Sequence, residues 1–228
     1  MCKVFGFSNF SKVKKKLETI EFIGQTLLDT ERDGFGYAIW NNNISQSFGE
    51  RTSDKTFRSG VRENPRVNFD FCVKPETNQN MFGEFDLTNV GAAIFHGRIS
   101  TNNKNLLNTH PMVRDGWALV HNGVVTDHGE KYDTITTNDS EHVLKRYQDG
   151  TFEQNLTGYY AFLALDDEGK LHVCRDRIAQ LYSAWVDQLD SYVFSTTEFN
   201  ISKVCKALGV EHSNPLKLKD DVLIGAIH

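Results

Sequence analysis

Apolar residues recur in short runs bounded by glycine, asparagine and aspartate, which is the pattern of half-buried strands. The chain opens on Val4, Phe5 and Phe7, read as a buried strand. Leu17, Ile20, Gly24, Leu27 and Leu28 then keep a helical spacing to about Asp29, with Ser8 or Ser11 as the cap. Strands are predicted over 33–40, 44–48, 90–96, 117–120, 159–165, 171–174, 181–186 and 192–195, with an edge strand over 222–227. Asn41-Asn42-Asn43, Asp166 to Gly169 and Asp187 to Asp190 supply turns, and Asn122-Gly123 after a strand reads as a tight turn. Two more helices are predicted, one on Val143, Leu144 and Tyr147 closed by Gly150, the other over 201–208 ended by Gly209. Residues 49–88 are polar, carry Pro65 and Pro75, and read as long loops with one short helix. Many strands with two or three helices make an α+β protein in which helices cover sheets.

Length and charge narrow the class. At 228 residues without a linker-like stretch, the chain is expected to form a single domain over 1–228. A net charge of −5 argues against a nucleic-acid partner, and the Lys12–Lys16 run reads as the wet face of a helix. No apolar run approaches the roughly 18 residues that cross a bilayer, and charge from Lys3 onward leaves no room for a signal peptide. Cys2, Cys72, Cys174 and Cys205 are scattered with no C-x-x-C pair, so neither a disulfide framework nor a cysteine zinc site is indicated. A cytoplasmic protein without a membrane partner is expected.

The candidate chemistry begins at Cys2, a residue small enough for the preceding methionine to be removed. A first-residue cysteine carries a thiol of pKa about 8.5 beside an α-amine of about 7.7–8.0, a nucleophile with its own base attached. Four further clusters stand out: His96-Gly97-Arg98-Ile99-Ser100-Thr101, Asn108-Thr109-His110-Pro111, His121-Asn122-Gly123 and Asn138-Asp139-Ser140-Glu141. Each has a plainer reading: Arg98 as a surface ion pair, Asn122-Gly123 as a turn, Asp139 as a helix N-cap. His96, His110 and His121 lack the i, i+4 spacing of a helical zinc motif and read as strand-end histidines satisfied by hydrogen bonds.

In this order the clusters resemble the class II glutamine amidotransferase domain, of the N-terminal-nucleophile hydrolase type. The resemblance runs from Met-Cys through Asp-Gly-Phe-Gly at 33–36, His-x-Arg-x-x-Thr at 96–101, Asn-x-His-Pro at 108–111, His-Asn-Gly at 121–123 and Asp-Ser-Glu at 139–141. Leu156 to Phe162, Arg175-Asp176-Arg177 and Phe194 to Thr197 look like its later landmarks. It covers about 2–205 and leaves 206–228 as a C-terminal extension. It implies a four-layer αββα sandwich, with no cofactor and no metal. It implies that Cys2 attacks the side-chain amide of L-glutamine while Asn122 and the Gly123 N–H hold the oxyanion. Arg98 and Thr101 would seat the substrate carboxylate, Asp139 would pair with its ammonium, and Asn108 and His110 would organise the glutamine loop. Ile99-Ser100 and Asn102-Asn103 depart from the residues usual there. With no synthetase domain after residue 205 and no P-loop, ammonia is expected to pass to a separate acceptor enzyme. The alternatives are a stand-alone amidohydrolase of an N-substituted γ-glutamyl compound, an inactive binding module of the same fold, and a metallohydrolase on the three histidines.

Overall fold

The structure is a computed structural model that describes residues 2–28, 34–41, 57–60, 67–72, 87, 90–98, 108–129, 132–134, 137–219 and 224–227. Strands β1 (Lys3–Phe7), β2 (Gly34–Asn41), β3 (Phe57–Gly60), β4 (Val67–Cys72), β5 (Val90–Arg98), β10 (Tyr182–Val186), β11 (Ser191–Ser195) and β12 (Leu216–Lys217) form one sheet. Its order is β12-β10-β11-β1-β5-β2-β4-β3, which buries β1 in the middle. A second sheet runs β13-β9-β8-β7-β6, from β6 (Met112–Arg114), β7 (Trp117–Asp127), β8 (Leu156–Leu165), β9 (Leu171–Arg175) and β13 (Ile224–Ile227). The pairings in both sheets are antiparallel.

Side-chain alternation divides the interior into three apolar seams. Phe5 and Phe7 of β1 face outward with Phe95 of β5, against Ile20, Ile23 and Leu27 of helix α1 (Lys16–Leu28) and Ile201 and Val204 of helix α4 (Glu198–Leu208). Val4, Ala38, Ala92 and Ile94 face the other way and meet Ala118, Val120, Ala161 and Leu163 of the second sheet. Beyond that sheet, Leu119, Phe162 and Ala164 pack on Val143 and Leu144 of helix α2 (Asp139–Gln148) and Phe152 of helix α3 (Phe152–Asn155). The result is helix, sheet, sheet, helix, the four-layer αββα sandwich. Phe5, Phe7 and Phe95 are fully buried, and each contributes roughly 1.5–3 kcal/mol of transfer free energy.

Several local expectations are corrected. Helix α1 begins at Lys16, and neither Ser8 nor Ser11 caps it. Ser8 Oγ accepts from the Tyr192 N–H (2.9 Å), and Ser11 donates to Asn9 Oδ1 (2.6 Å). Lys12, Lys14 and Lys15 therefore stand before the helix, exposed around buried Val13. Asn122-Gly123 is no turn, because β7 pairs with β8 without interruption from Ala118 to Asp127. The hairpin turn lies earlier, at Asp115-Gly116 (φ 47° and 79°), which joins β6 to β7. Asp-Gly is a strong signal for such a turn. Within 49–88 the described pieces include the strands β3 and β4; the predicted strand at 44–48 lies outside the described residues. Helix α2 is capped by Asn138, whose side chain accepts from the Ser140 N–H, so Asp139 is its first residue rather than its cap.

Candidate active site

The site is built at one end of the space between the sheets. Register pairs Lys3 with Gly97 and Val4 with His96, so one further step sets Cys2 beside Arg98. Val4 faces the second sheet, and alternation turns Cys2 the same way. His96 and Arg98 follow Ala92 and Ile94 onto that face, and on β7 Asn122 follows Ala118 and Val120. Cys2, Arg98 and Asn122 are thus aimed into one gap from two sheets. Arg98 and Asn122 are buried, whereas Cys2 is half-buried.

Gly97 separates His96 from Arg98 on β5 for a steric reason. A Cβ there would lie 2.7 Å from the Leu27 carbonyl oxygen, so helix α1 can press on the strand only if the position is glycine. The segment after β11 clamps the other side of β1. Thr196 Oγ1 accepts from the Val4 N–H (3.3 Å), while Ser195 Oγ (3.0 Å) and the Thr196 N–H (3.2 Å) both donate to the Val4 carbonyl. The Ser195-Thr196 landmark therefore fixes the peptide two residues beyond the thiol.

Gly123 is held still more tightly. A Cβ would sit 2.1 Å from the Tyr159 carbonyl oxygen and 2.6 Å from His121 Nε2, so glycine is needed for close packing of strand and ring, not for a bend. His121 Nδ1 lies 2.8 Å from Ser140 Oγ, which in turn lies 3.5 Å from Asp139 Oδ1. Asp139 Oδ2 accepts from the Val125 N–H (2.9 Å), fastening the first turn of α2 to β7. Asn108 Nδ2 donates to Thr137 Oγ1 (3.0 Å), and the Asn108 carbonyl accepts from Asn138 Nδ2 (2.8 Å), so the Asn108–His110 segment is tied to the same helix end.

The three histidines meet. The His96 and His110 rings lie with centroids 3.9 Å apart at an interplanar angle of 34°, and the His110 ring lies 6.4 Å from that of His121. Burial pushes His96 down to about 3 and His121 to about 4, although nearby Asp139 pulls His121 upward. Burial also holds His110 well below the ordinary histidine range, helped by the other two rings and the Arg98 charge. The expectation of hydrogen-bonded histidines holds only in part: both His110 nitrogens, His96 Nδ1 and His121 Nε2 have no partner among the described residues. Among those residues no three His, Cys, Asp or Glu side chains are arranged to hold a metal ion. Thr101, together with Ile99, Ser100, Asn102 and Asn103, lies outside the described residues. Ser140 and Thr137, which position these groups, were not singled out from the sequence; Ser140 stands inside the Asp-Ser-Glu motif.

Residues 96–202 match the sequence model of a family described as a glutamine amidotransferase domain. The matched stretch encloses Arg98, Asn108, His110, Asn122, Gly123 and Asp139, while β1 and Cys2 precede it. Among solved structures, glutamine phosphoribosylpyrophosphate amidotransferase from B. subtilis, complexed with ADP and GMP, is similar at TM-score 0.60 and 17% identity, covering 96% of this chain and 46% of that one. A structure described as the allosteric regulatory enzyme of purine biosynthesis gives 0.64 and 18%, covering 96% and 45%. The likeness is one of fold, and this chain spans less than half the length of either structure. No curated protein matches the chain. No described helix is long and apolar enough to cross a membrane.

Proposed function

We propose that this domain releases ammonia from the side-chain amide of glutamine through a thioester on Cys2. The observation that carries the reading is the convergence of Cys2, Arg98 and Asn122 on one gap between the sheets. Removal of Met1 would free the Cys2 α-amine, whose pKa of about 7.7–8.0 suits it to take the thiol proton near neutral pH. The sulfur attacks the amide carbon, the carbonyl electrons move onto oxygen, and the Asn122 side chain and Gly123 N–H stabilise that oxyanion. As the carbon–nitrogen bond breaks, the α-ammonium returns its proton to the departing ammonia. Water then attacks the thioester, releasing glutamate and restoring the thiol. Arg98 holds the substrate carboxylate with two parallel N–H donors, Asp139 takes its ammonium, and Thr101 helps seat the carboxylate end. Asn108 and His110 organise the glutamine loop. The ammonia passes to a separate acceptor enzyme in the cytoplasm.

The deciding assay measures ammonia and glutamate from glutamine, with N-substituted γ-glutamyl amides as the comparison. Turnover of the substituted amides without turnover of glutamine would overturn the reading in favour of an amidohydrolase. Arg98→Lys should raise the glutamine KM by about 10- to 100-fold, because a forked charge-assisted pair becomes a point contact worth roughly 1.5–3 kcal/mol less. Steady-state kinetics checks it, and an unchanged KM would remove Arg98 from the site. Asn122→Ala should lower kcat by about 10²–10³ with a small change in KM, as loss of one oxyanion donor does. An equal loss confined to KM would assign Asn122 to substrate binding instead.

A further inference from the structure

Resting on that reading, we propose that His96 and His121 are positioning residues, a two-histidine tie that sets the distance between the carboxylate anchor, the oxyanion donors and the ammonium anchor. His96 Nε2 lies 3.1 Å from the His121 carbonyl oxygen, just past Leu119, where β6 stops pairing with β7. A carbonyl can only accept, so the proton of His96 is on Nε2. Fully buried and with its pKa pressed to about 3, the ring stays neutral through the physiological range. Its partner carbonyl belongs to the peptide unit whose N–H is that of Asn122. Pinning this unit therefore orients the oxyanion strand at the residue where it matters.

The same bond links strands of opposite sheets, since β5 and β7 share no ladder. Arg98 is two residues from His96 on β5, and the Asn122-Gly123 pair follows His121 directly on β7. The His121 ring goes the other way, lying over Gly123 and meeting Ser140 beside Asp139 at 2.8 Å. His121 is thus held by its backbone to the carboxylate anchor's strand and by its ring to the ammonium anchor's helix. Contact with the tilted His110 ring, its centroid 3.9 Å away, restricts how far the His96 ring can turn. None of these rings needs to exchange a proton during the reaction; their role is to keep three elements in register.

The test compares His96→Gln, which retains an N–H donor at similar reach, with His96→Leu, which retains bulk and loses the donor. His96→Leu should lower kcat for glutamine about 100-fold, the cost of a displacement near 1 Å, with KM changed less, and His96→Gln should recover most of the loss. The pH–rate profile of His96→Gln should keep its limbs between pH 5 and 8; a shifted limb would make His96 an acid–base group and overturn the proposal. Nitrogen-15 NMR of the unmodified protein should show His96 in the Nε2–H form, untitrated from pH 5 to 8. The Asn122 side-chain and Gly123 backbone amide signals should move in His96→Leu and return in His96→Gln. Unmoved signals would overturn the tie whether or not glutamine is turned over. A protein that shows the signal changes but never hydrolyses glutamine would leave the tie standing and sink the activity instead.

Discussion

Cys2→Ala is expected to reduce ammonia release from glutamine by at least roughly 10³-fold, because no oxyanion donor or charge anchor can replace an absent nucleophile. The fold should survive. Cys2 is half-buried and precedes β1, whose ladder to β5 begins at Lys3 and whose clamp by Ser195 and Thr196 acts on Val4. Removing one partly exposed sulfur should therefore shift stability by less than about 1 kcal/mol. Ammonia assays paired with thermal melts check both halves. A diazoketone that mimics glutamine should add a single mass increment to the unmodified protein and none to the variant. Turnover by the alanine variant, or labelling elsewhere, would assign the attack to another group.

Acid should destabilise this protein earlier than it does most. Histidines buried in neutral form are protonated once the chain unfolds, so the unfolded state binds more protons whenever the pH lies below about 6.5 and above the folded pKa. The sign follows: stability is complete above the unfolded value and is lost as pH falls toward the folded values of about 3 for His96 and about 4 for His121. Each such group removes about 1.4 kcal/mol per pH unit over that window. Asp127 and Asp166 act at lower pH. Burial alone would raise both carboxyls, but the bonds from Arg146, the Gly129 N–H and His142 to the first, and from His172 and the Lys170 and Glu168 N–H groups to the second, together outweigh it and leave them lowered. Their contribution is therefore present above about pH 4 and disappears only below it. Urea unfolding at pH 7 and pH 5 should show a marked drop. His110→Leu should flatten the pH dependence by about one proton and leave stability at pH 7 equal or higher, since it removes two ring nitrogens that have no partner among the described residues. An unchanged midpoint between the two pH values, or an unchanged slope in the variant, would refute the account.

The strands and their burial were legible because alternation is a local property. Val4 inward with Phe5 and Phe7 outward, or Ala161 and Leu163 inward with Phe162 and Ala164 outward, follows from the pleat alone. The last helix and its stop at Gly209 were equally readable, because a left-handed C-cap (φ 67°) is a glycine signature. Misreadings occurred where two local rules competed. Asn122-Gly123 satisfies the composition of a turn, yet the contact with Tyr159 makes it a strand position that admits only glycine. Ser11 has the chemistry of a cap but closes a bond to Asn9, and Asn138 rather than Asp139 caps α2.

By itself the sequence determined the α+β class, most strands, and which short motifs carry reactive side chains, since these depend on neighbours a few residues apart. It could not say that Cys2 stands beside Arg98, that Asn122 faces both across a second sheet, or that His121 joins them to Asp139. Those relations connect positions about 20 to 120 residues apart in the chain, and they exist only once two sheets stack and their registers lock. Tertiary structure decided the site because catalytic geometry is set between elements, where local pattern carries no information about distance.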